Sequence, residues 1–227
     1  MSRCIWAVIA LSACAPVPDE KLVVVAVDVT SSVTDDELSR WLPYIDQLIV
    51  RAKPRHELIL FALDDNTTQS EPILRRDRSP KSRTLSRELG WRRKFAEARR
   101  KWEEAKPSLA GKNAIGTHII ELVARLPQLA QGRQIELWLF SDMIQQSPQL
   151  DLARDPITNR EAEVATRLAK QVIEQKLDGR VYCILGYRRR QVSVARLRSF
   201  WRIFFQEAGL ELVWFDSVFP EEVLDAE

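Results

Sequence analysis

Asp28, Thr30 and Ser32 stand at alternate positions in KLVVVAVDVTSSVTDDEL, residues 21–38, where an apolar run gives way to a hydroxyl-rich turn. A strand-to-helix turn needs one capping side chain, and Thr34, three residues before Glu37, already supplies it. The extra oxygens call for another explanation. Two more oxygen-bearing residues occupy comparable places: Thr117 follows a glycine in IGTHI, and Asp142 closes QIELWLFSD. Two carboxylates and three hydroxyls make an all-oxygen donor set, which suits a hard divalent cation: magnesium first, with manganese or calcium as alternatives. Hydroxyls are weak ligands, so such a site keeps a position open for water or a partner. Zinc fits poorly, because Cys183 would have only His56 and His118 beside it. Taken singly, each residue also has a plainer role. Asp28 and Asp142 could form strand-end turns, Ser32 could compete as a cap, and Thr117 could be the N-cap of its helix.

The elements around these residues decide whether they can meet. LVVVAVD (22–28) is a continuous β-branched run, as expected of a central parallel strand covered on both faces. HELILFALD (56–64), QIELWLFSD (134–142), RVYCILGY (180–187) and LELVWFD (210–216) read as further strands, and TTQSEPILRRDR (67–78) could hold a short edge strand. Leu38, Trp41, Leu42, Ile45, Leu48 and Ile49 recur at helical spacing after the Thr34–Glu37 capping box. Trp91, Phe95, Ala98, Trp102 and Ala105 mark a second helix, and Gly116-Thr117 opens a third. Thr158 and Glu161 predict a helix running through Leu177, and Ser193 another, stopped at Gly209. The alternation of strands and helices predicts one α/β domain, a Rossmann-like, doubly wound and mostly parallel sheet flanked by helices. In such sheets functional groups gather beyond the carboxyl ends of the strands, where Asp28 and Asp142 would lie and which Thr117 could reach.

At this point the chain resembles the von Willebrand factor A (vWA) domain family. Its metal-ion-dependent adhesion site has Asp-x-Ser/Thr-x-Ser after the first strand, a Thr from a later loop and an Asp after the fourth strand. Asp28-Val29-Thr30-Ser31-Ser32, Thr117 and Asp142 match all five positions in order, within a resemblance that covers about residues 20–216. The family often has Gly after the last Asp, where this chain has Met143, and Thr30 stands where Ser is common. The resemblance implies a vWA-like fold over residues 21–216. It also implies a metal held by Asp28, Thr30, Ser32, Thr117 and Asp142, and a protein ligand that completes the coordination with an acidic residue. It implies a binding protein and not an enzyme, with the chain itself monomeric. Two readings from other classes stand beside it. A magnesium-dependent phosphohydrolase of the haloacid dehalogenase type also places an Asp at the end of the first strand. It needs a second Asp two residues on, where Thr30 stands. The other is a metal-free scaffold that binds through its helices. Acyl transfer lacks a Gly-x-Ser-x-Gly elbow.

The amino end adds a location. MSRCIWAVIALSAC has an early Arg3, an apolar core over 4–13 and small residues before Cys14, the layout of a signal peptide over residues 1–13. Leu11-Ser12-Ala13-Cys14 resembles a bacterial lipobox, which implies a lipidated Cys14, a tether over 14–20 and an extracytoplasmic, membrane-anchored protein. An acidic tail is expected over 217–227. With Cys4 removed and Cys14 lipidated, Cys183 has no partner for an internal disulfide and reads as a small core residue. The net charge of +2 conceals a basic stretch over 75–106, which carries +8 and leaves −6 for the remainder. A solvated helix face laced with Arg–Glu pairs accounts for it, with anionic headgroups or an acidic partner as the functional alternative. Arg188-Arg189-Arg190 makes a second basic spot. Nucleic acid is not expected as a partner of an exported protein.

Overall fold

The computed structural model describes residues 20–53, 55–64, 67, 71–77, 85–109, 116–152, 154, 160–186 and 192–222. The expected signal peptide, Cys14, Thr158 and the 188–190 triplet lie outside these residues. Among the described residues no helix is long and apolar enough to cross a membrane.

The continuous apolar run forms β1 (Lys21–Asp28), buried from Leu22 onward, at the centre of the sheet. It pairs in parallel with β2 (Glu57–Leu63) on one side and with β4 (Gln134–Ser141) on the other. Beyond β2 lies β3 (Leu74–Arg76), antiparallel, within the segment where a short edge strand could be read. Beyond β4 lie β7 (Gly179–Leu185) and β8 (Leu210–Asp216), both parallel. The order β3-β2-β1-β4-β7-β8 is α/β and mostly parallel, as the alternation of elements predicted. A separate two-stranded ribbon, β5 (Gln146–Ser147) with β6 (Leu150–Asp151), follows β4.

Alternate residues of β1 face opposite layers, as the period of two requires. Leu22, Val24 and Ala26 pack with α3 (Ile119–Ala130), α4 (Glu161–Val172) and α5 (Val194–Ala208). Val23, Val25 and Val27 pack with α1 (Asp35–Arg51) and with Trp102 and Leu109 of α2 (Leu85–Leu109). Burying a Val or Leu side chain fully contributes about 1.5–3 kcal/mol, so the two-sided cover fixes β1, and with it Asp28, firmly in place. Phe219 lies three residues past the expected end of the domain. It is nonetheless buried, stacked on Tyr44 at 4.3 Å and on Trp138 at 5.5 Å.

Two helix boundaries differ from expectation. Helix α4 ends at Val172 instead of Leu177, because the next residues serve the sheet. Ile173 is extended, the Leu177 amide donates to the Ala208 carbonyl at 2.8 Å, and the Asp178 carbonyl accepts from Ile135 at 2.8 Å. Helix α3 begins at Ile119, two residues after Thr117, with His118 in the capping position. The stop at Gly209 matches expectation. Its φ is +91°, and a Cβ there would sit 2.2 Å from the Leu177 carbonyl, so only glycine fits this close approach.

The basic stretch is partly tied down within the chain. Arg76 is buried and donates to the Ala52 carbonyl, Arg75 pairs with Glu57 at 2.8 Å, and Lys106 pairs with Asp46 at 2.7 Å. Arg100–Glu104 and Lys101–Glu97 are exposed i,i+4 pairs, which contribute little to stability. Trp102 is buried as expected, and its indole donates to Asp46 at 2.6 Å. The side chains of Trp91, Phe95 and Ala98 lie outside the described part of α2.

Candidate metal centre at the sheet edge

The chain enters the sheet at its middle, winds outward through β2 and β3, then returns to the other side of β1 at β4. The direction of winding therefore reverses between β1 and β4, and ligands of open α/β sheets bind outside the carboxyl ends at such a point. Asp28 is the last residue of β1 and Asp142 follows the last residue of β4. Between them a single network of short bonds has formed.

Asp28 is completely buried. Its Oδ1 accepts from the Thr30 hydroxyl at 2.7 Å and from the Thr30 amide at 3.0 Å. Its Oδ2 accepts from the Thr117 hydroxyl at 3.2 Å. The Thr30 hydroxyl also lies 2.8 Å from that of Ser32 and 3.3 Å from that of Thr117. Ser32 in turn bonds the carboxylate of Asp142, whose Oδ1 also accepts from the Ile144 amide at 2.9 Å. Thus Asp28, Thr30, Ser32, Thr117 and Asp142 meet in space, although they span more than a hundred residues of chain. Thr117 is not a cap, since its hydroxyl bonds Asp28 and Thr30 and the capping position is taken by His118.

The electrostatics are unusual. Burial raises the pKa of Asp28, and the bonds from Ser141, Thr30 and Thr117 only partly oppose it. Asp142 is raised from 3.8 to about 7, by burial first and by the charge of Asp28 second. The Ile144 amide and the Ser32 hydroxyl oppose this rise, and the charge of Glu37 adds to it. Among the described residues every group bonded to Asp28 is a neutral hydroxyl or an amide. Two like charges in a poorly solvated place favour protonation or a bound cation. The donors are all hard oxygens, and among the described residues no group of three His, Cys, Asp or Glu side chains lies close enough together to hold a metal, here or elsewhere, so hydroxyls must complete the set. The residues present therefore fit a hard divalent ion.

Three residues that the sequence left unassigned complete the centre. Ser141, the residue before Asp142, is fully buried. It donates to Asp28 Oδ2 at 2.6 Å while its hydroxyl oxygen accepts from the Met143 amide at 2.9 Å. Met143 stands where the vWA family often has Gly, and its φ is +62°. Methionine thus adopts the backbone that glycine would take. Its strain is countered by a completely buried side chain and by the Trp201 indole, which donates to its carbonyl at 2.9 Å. Gln145 is also fully buried. Its Oε1 accepts from the amides of Ile119 and Ile120 at 2.8 and 3.1 Å, and its Nε2 donates to Glu121 at 2.8 Å. A side chain from the Asp142 loop therefore caps α3. The Gln146 amide also donates to the Thr117 carbonyl at 3.1 Å, so the two loops that carry Thr117 and Asp142 are bonded to each other.

No protein-family model matches the chain, and no curated protein matches it in sequence. Solved structures do share its architecture. Human COPII-coat protein Sec24c aligns over 92% of this chain at 10% identity, with a TM-score of 0.51. The chain spans 31% of that protein's length. The SpRpn10 VWA domain aligns over 90% of this chain and 92% of its own at 14% identity, but its TM-score of 0.39 is too loose to add weight. These likenesses concern fold alone. With the strand order above, the fold is α/β, a mostly parallel sheet flanked by helices.

Proposed function

We propose that this chain binds a protein ligand through a divalent cation, magnesium in the first place, held by Asp28, Thr30, Ser32, Thr117 and Asp142. The observation that carries the reading is the pair of carboxylates at the sheet's reversal point, one buried and one half-buried, linked by hydroxyls and, among the described residues, without a cationic partner in their network. A bound cation supplies the missing positive charge and an open position for a carboxylate of the partner. The chain's own residues do the rest. Burial of Asp28 prevents its carboxylate from swinging into solvent, and Ser141 orients it through Oδ2. Ser32 and Asp142 are half-buried, so the network opens to solvent on their side, where a ligand can approach. Calorimetric titration of the chain with magnesium and with manganese tests this. A saturable heat with both ions, lost on adding chelator, is expected, and absence of heat with either ion removes the metal from the function.

The same reading places the protein outside the cytoplasm, anchored through lipid on Cys14, with the vWA-like domain as the ligand-binding part. Leu11-Ser12-Ala13-Cys14 and the apolar core before it support this. Cys14→Ser is expected to convert a detergent-phase protein into a soluble or signal-retaining one. Equal incorporation of labelled fatty acid in both forms rules out the anchor.

A further inference from the structure

Glu37 lies in the first turn of α1 and is only 2% exposed. Its Oε2 accepts from the Thr34 amide at 2.7 Å and from the Thr34 hydroxyl at 2.8 Å, which completes the capping box. Its Oε1 is buried too and has no hydrogen-bond partner among the described residues. A cap requires one oxygen, and glutamine caps as well as glutamate, so the helix start explains neither the second oxygen nor the charge. Leaving a buried carboxylate oxygen without a donor is costly, more so than for a neutral group.

The place of Oε1 is well defined. A Cβ added to Gly186 would meet it at 2.8 Å and Trp41 Cζ2 at 3.3 Å, so the missing side chain at the end of β7 leaves the space this oxygen occupies. The Gly186 amide donates to the Ser141 carbonyl at 3.3 Å, and Ser141 bonds Asp28. One helical turn further on, Trp41 packs on Phe140 of β4 at 6.1 Å between ring centroids. The bare oxygen thus lies at the same sheet edge as the Asp28–Asp142 network, reached from the α1 side.

We propose that Glu37 is a third, outer carboxylate of the cation centre, one that receives a hydrogen bond from the ion's hydration water and adds its charge to those of Asp28 and Asp142. The inference rests on the divalent-cation reading above. It assigns Glu37 a double task, with one oxygen holding the helix and the other serving the ion. The negative charge felt at Asp142 from Glu37 agrees with this placement. A centre with three carboxylates keeps a net negative charge after binding a divalent ion, so the ion stays held before any partner arrives.

The test is manganese titration of the full-length chain, followed by loss of the free-ion magnetic resonance signal, with thermal unfolding in chelator as a control. Glu37→Gln keeps an oxygen for the cap and removes the charge. Its manganese affinity is expected to fall about tenfold, while its unfolding midpoint in chelator stays that of wild type. Gly186→Ala offers a second route, since Gly186 is not in the left-handed region and the added methyl presses first on Glu37 Oε1, at 2.8 Å, and less closely on Glu37 Cδ and Trp41 Cζ2, both at 3.3 Å. A loss of affinity in the same direction is expected, and this variant decides the matter if Glu37→Gln does not fold. Wild-type affinity in the folded variants overturns the proposal and leaves Glu37 a cap alone. An absence of manganese binding in wild type overturns both this inference and the reading beneath it, so the two failures are distinguishable.

Discussion

Asp28→Asn is expected to weaken magnesium or manganese binding at least about 100-fold while leaving the fold in place. A unit charge 4 Å from another is worth about 4 kcal/mol at the effective dielectric of a protein surface, and a divalent ion feels each carboxylate twice over. Losing one of the two central carboxylates therefore removes more binding energy than any hydroxyl in the set can supply. The fold survives for a separate reason. Asparagine has nearly the same shape, and its carbonyl oxygen can still accept from the Thr30 amide that now bonds Asp28 Oδ1. Its amide group replaces Oδ2, and the Ser141 and Thr117 hydroxyls that donate there can rotate to accept instead. Burial already favours the uncharged form of Asp28, so a neutral side chain at that position is not penalised. Calorimetry gives the affinity, and urea unfolding in chelator gives a stability expected within about 1 kcal/mol of wild type. Wild-type affinity in the folded variant places the ion elsewhere and ends the assignment of this centre.

The parts of the centre that could be read in the sequence are those that break a local rule. Asp28, Thr30 and Ser32 crowd oxygens into a turn that Thr34 already caps, and the β-branched run before them fixes where the strand ends. Ser141 and Gln145 break no local rule. A serine before an aspartate at a strand end is ordinary, and Ser141 acquires its role only when β1 and β4 pair with Val27 beside Phe140. Gln145 caps a helix whose first residue lies 26 positions earlier, so no window of sequence contains both. Met143 was legible only as a departure, because methionine has no preference for positive φ and the surrounding contacts impose it. The early end of α4 has the same origin. Residues 173–178 have helical neighbours in sequence, but the Leu177 and Asp178 backbones bond Ala208 and Ile135. Glu37 was legible as a cap through its spacing to Thr34, whereas its second oxygen depends on Gly186, nearly 150 residues away.

Without metal, the protein is expected to lose stability as pH rises, the reverse of the usual acid denaturation. Asp142 titrates near 7 in the folded chain and near 3.8 when unfolded. Below pH 4 both states hold the proton and the group is neutral in its effect. Between about pH 4 and 7 the unfolded chain has released the proton while the folded chain retains it. Fewer protons are then bound in the unfolded state, so stability falls at about 1.4 kcal/mol for each pH unit and levels off above 7. The full loss is up to about 4 kcal/mol, a large share of the 5–15 kcal/mol typical of a folded domain. Asp28, raised by burial, acts in the same direction. A bound divalent ion removes the cause, because it stabilises both carboxylates in their ionised form, and it binds the folded state alone. Magnesium should therefore raise stability strongly near pH 7.5 and hardly at all near about pH 4.5, where the carboxyls hold their protons against it. Urea unfolding at those two pH values, with chelator and with magnesium, gives four stabilities that decide the matter. The chelated protein should be the less stable at the higher pH, and magnesium should close that gap. Equal chelated stabilities at the two pH values would mean that Asp142 ionises as it does in water. A gap that magnesium leaves untouched would mean that the carboxylates repel each other with no ion to join them.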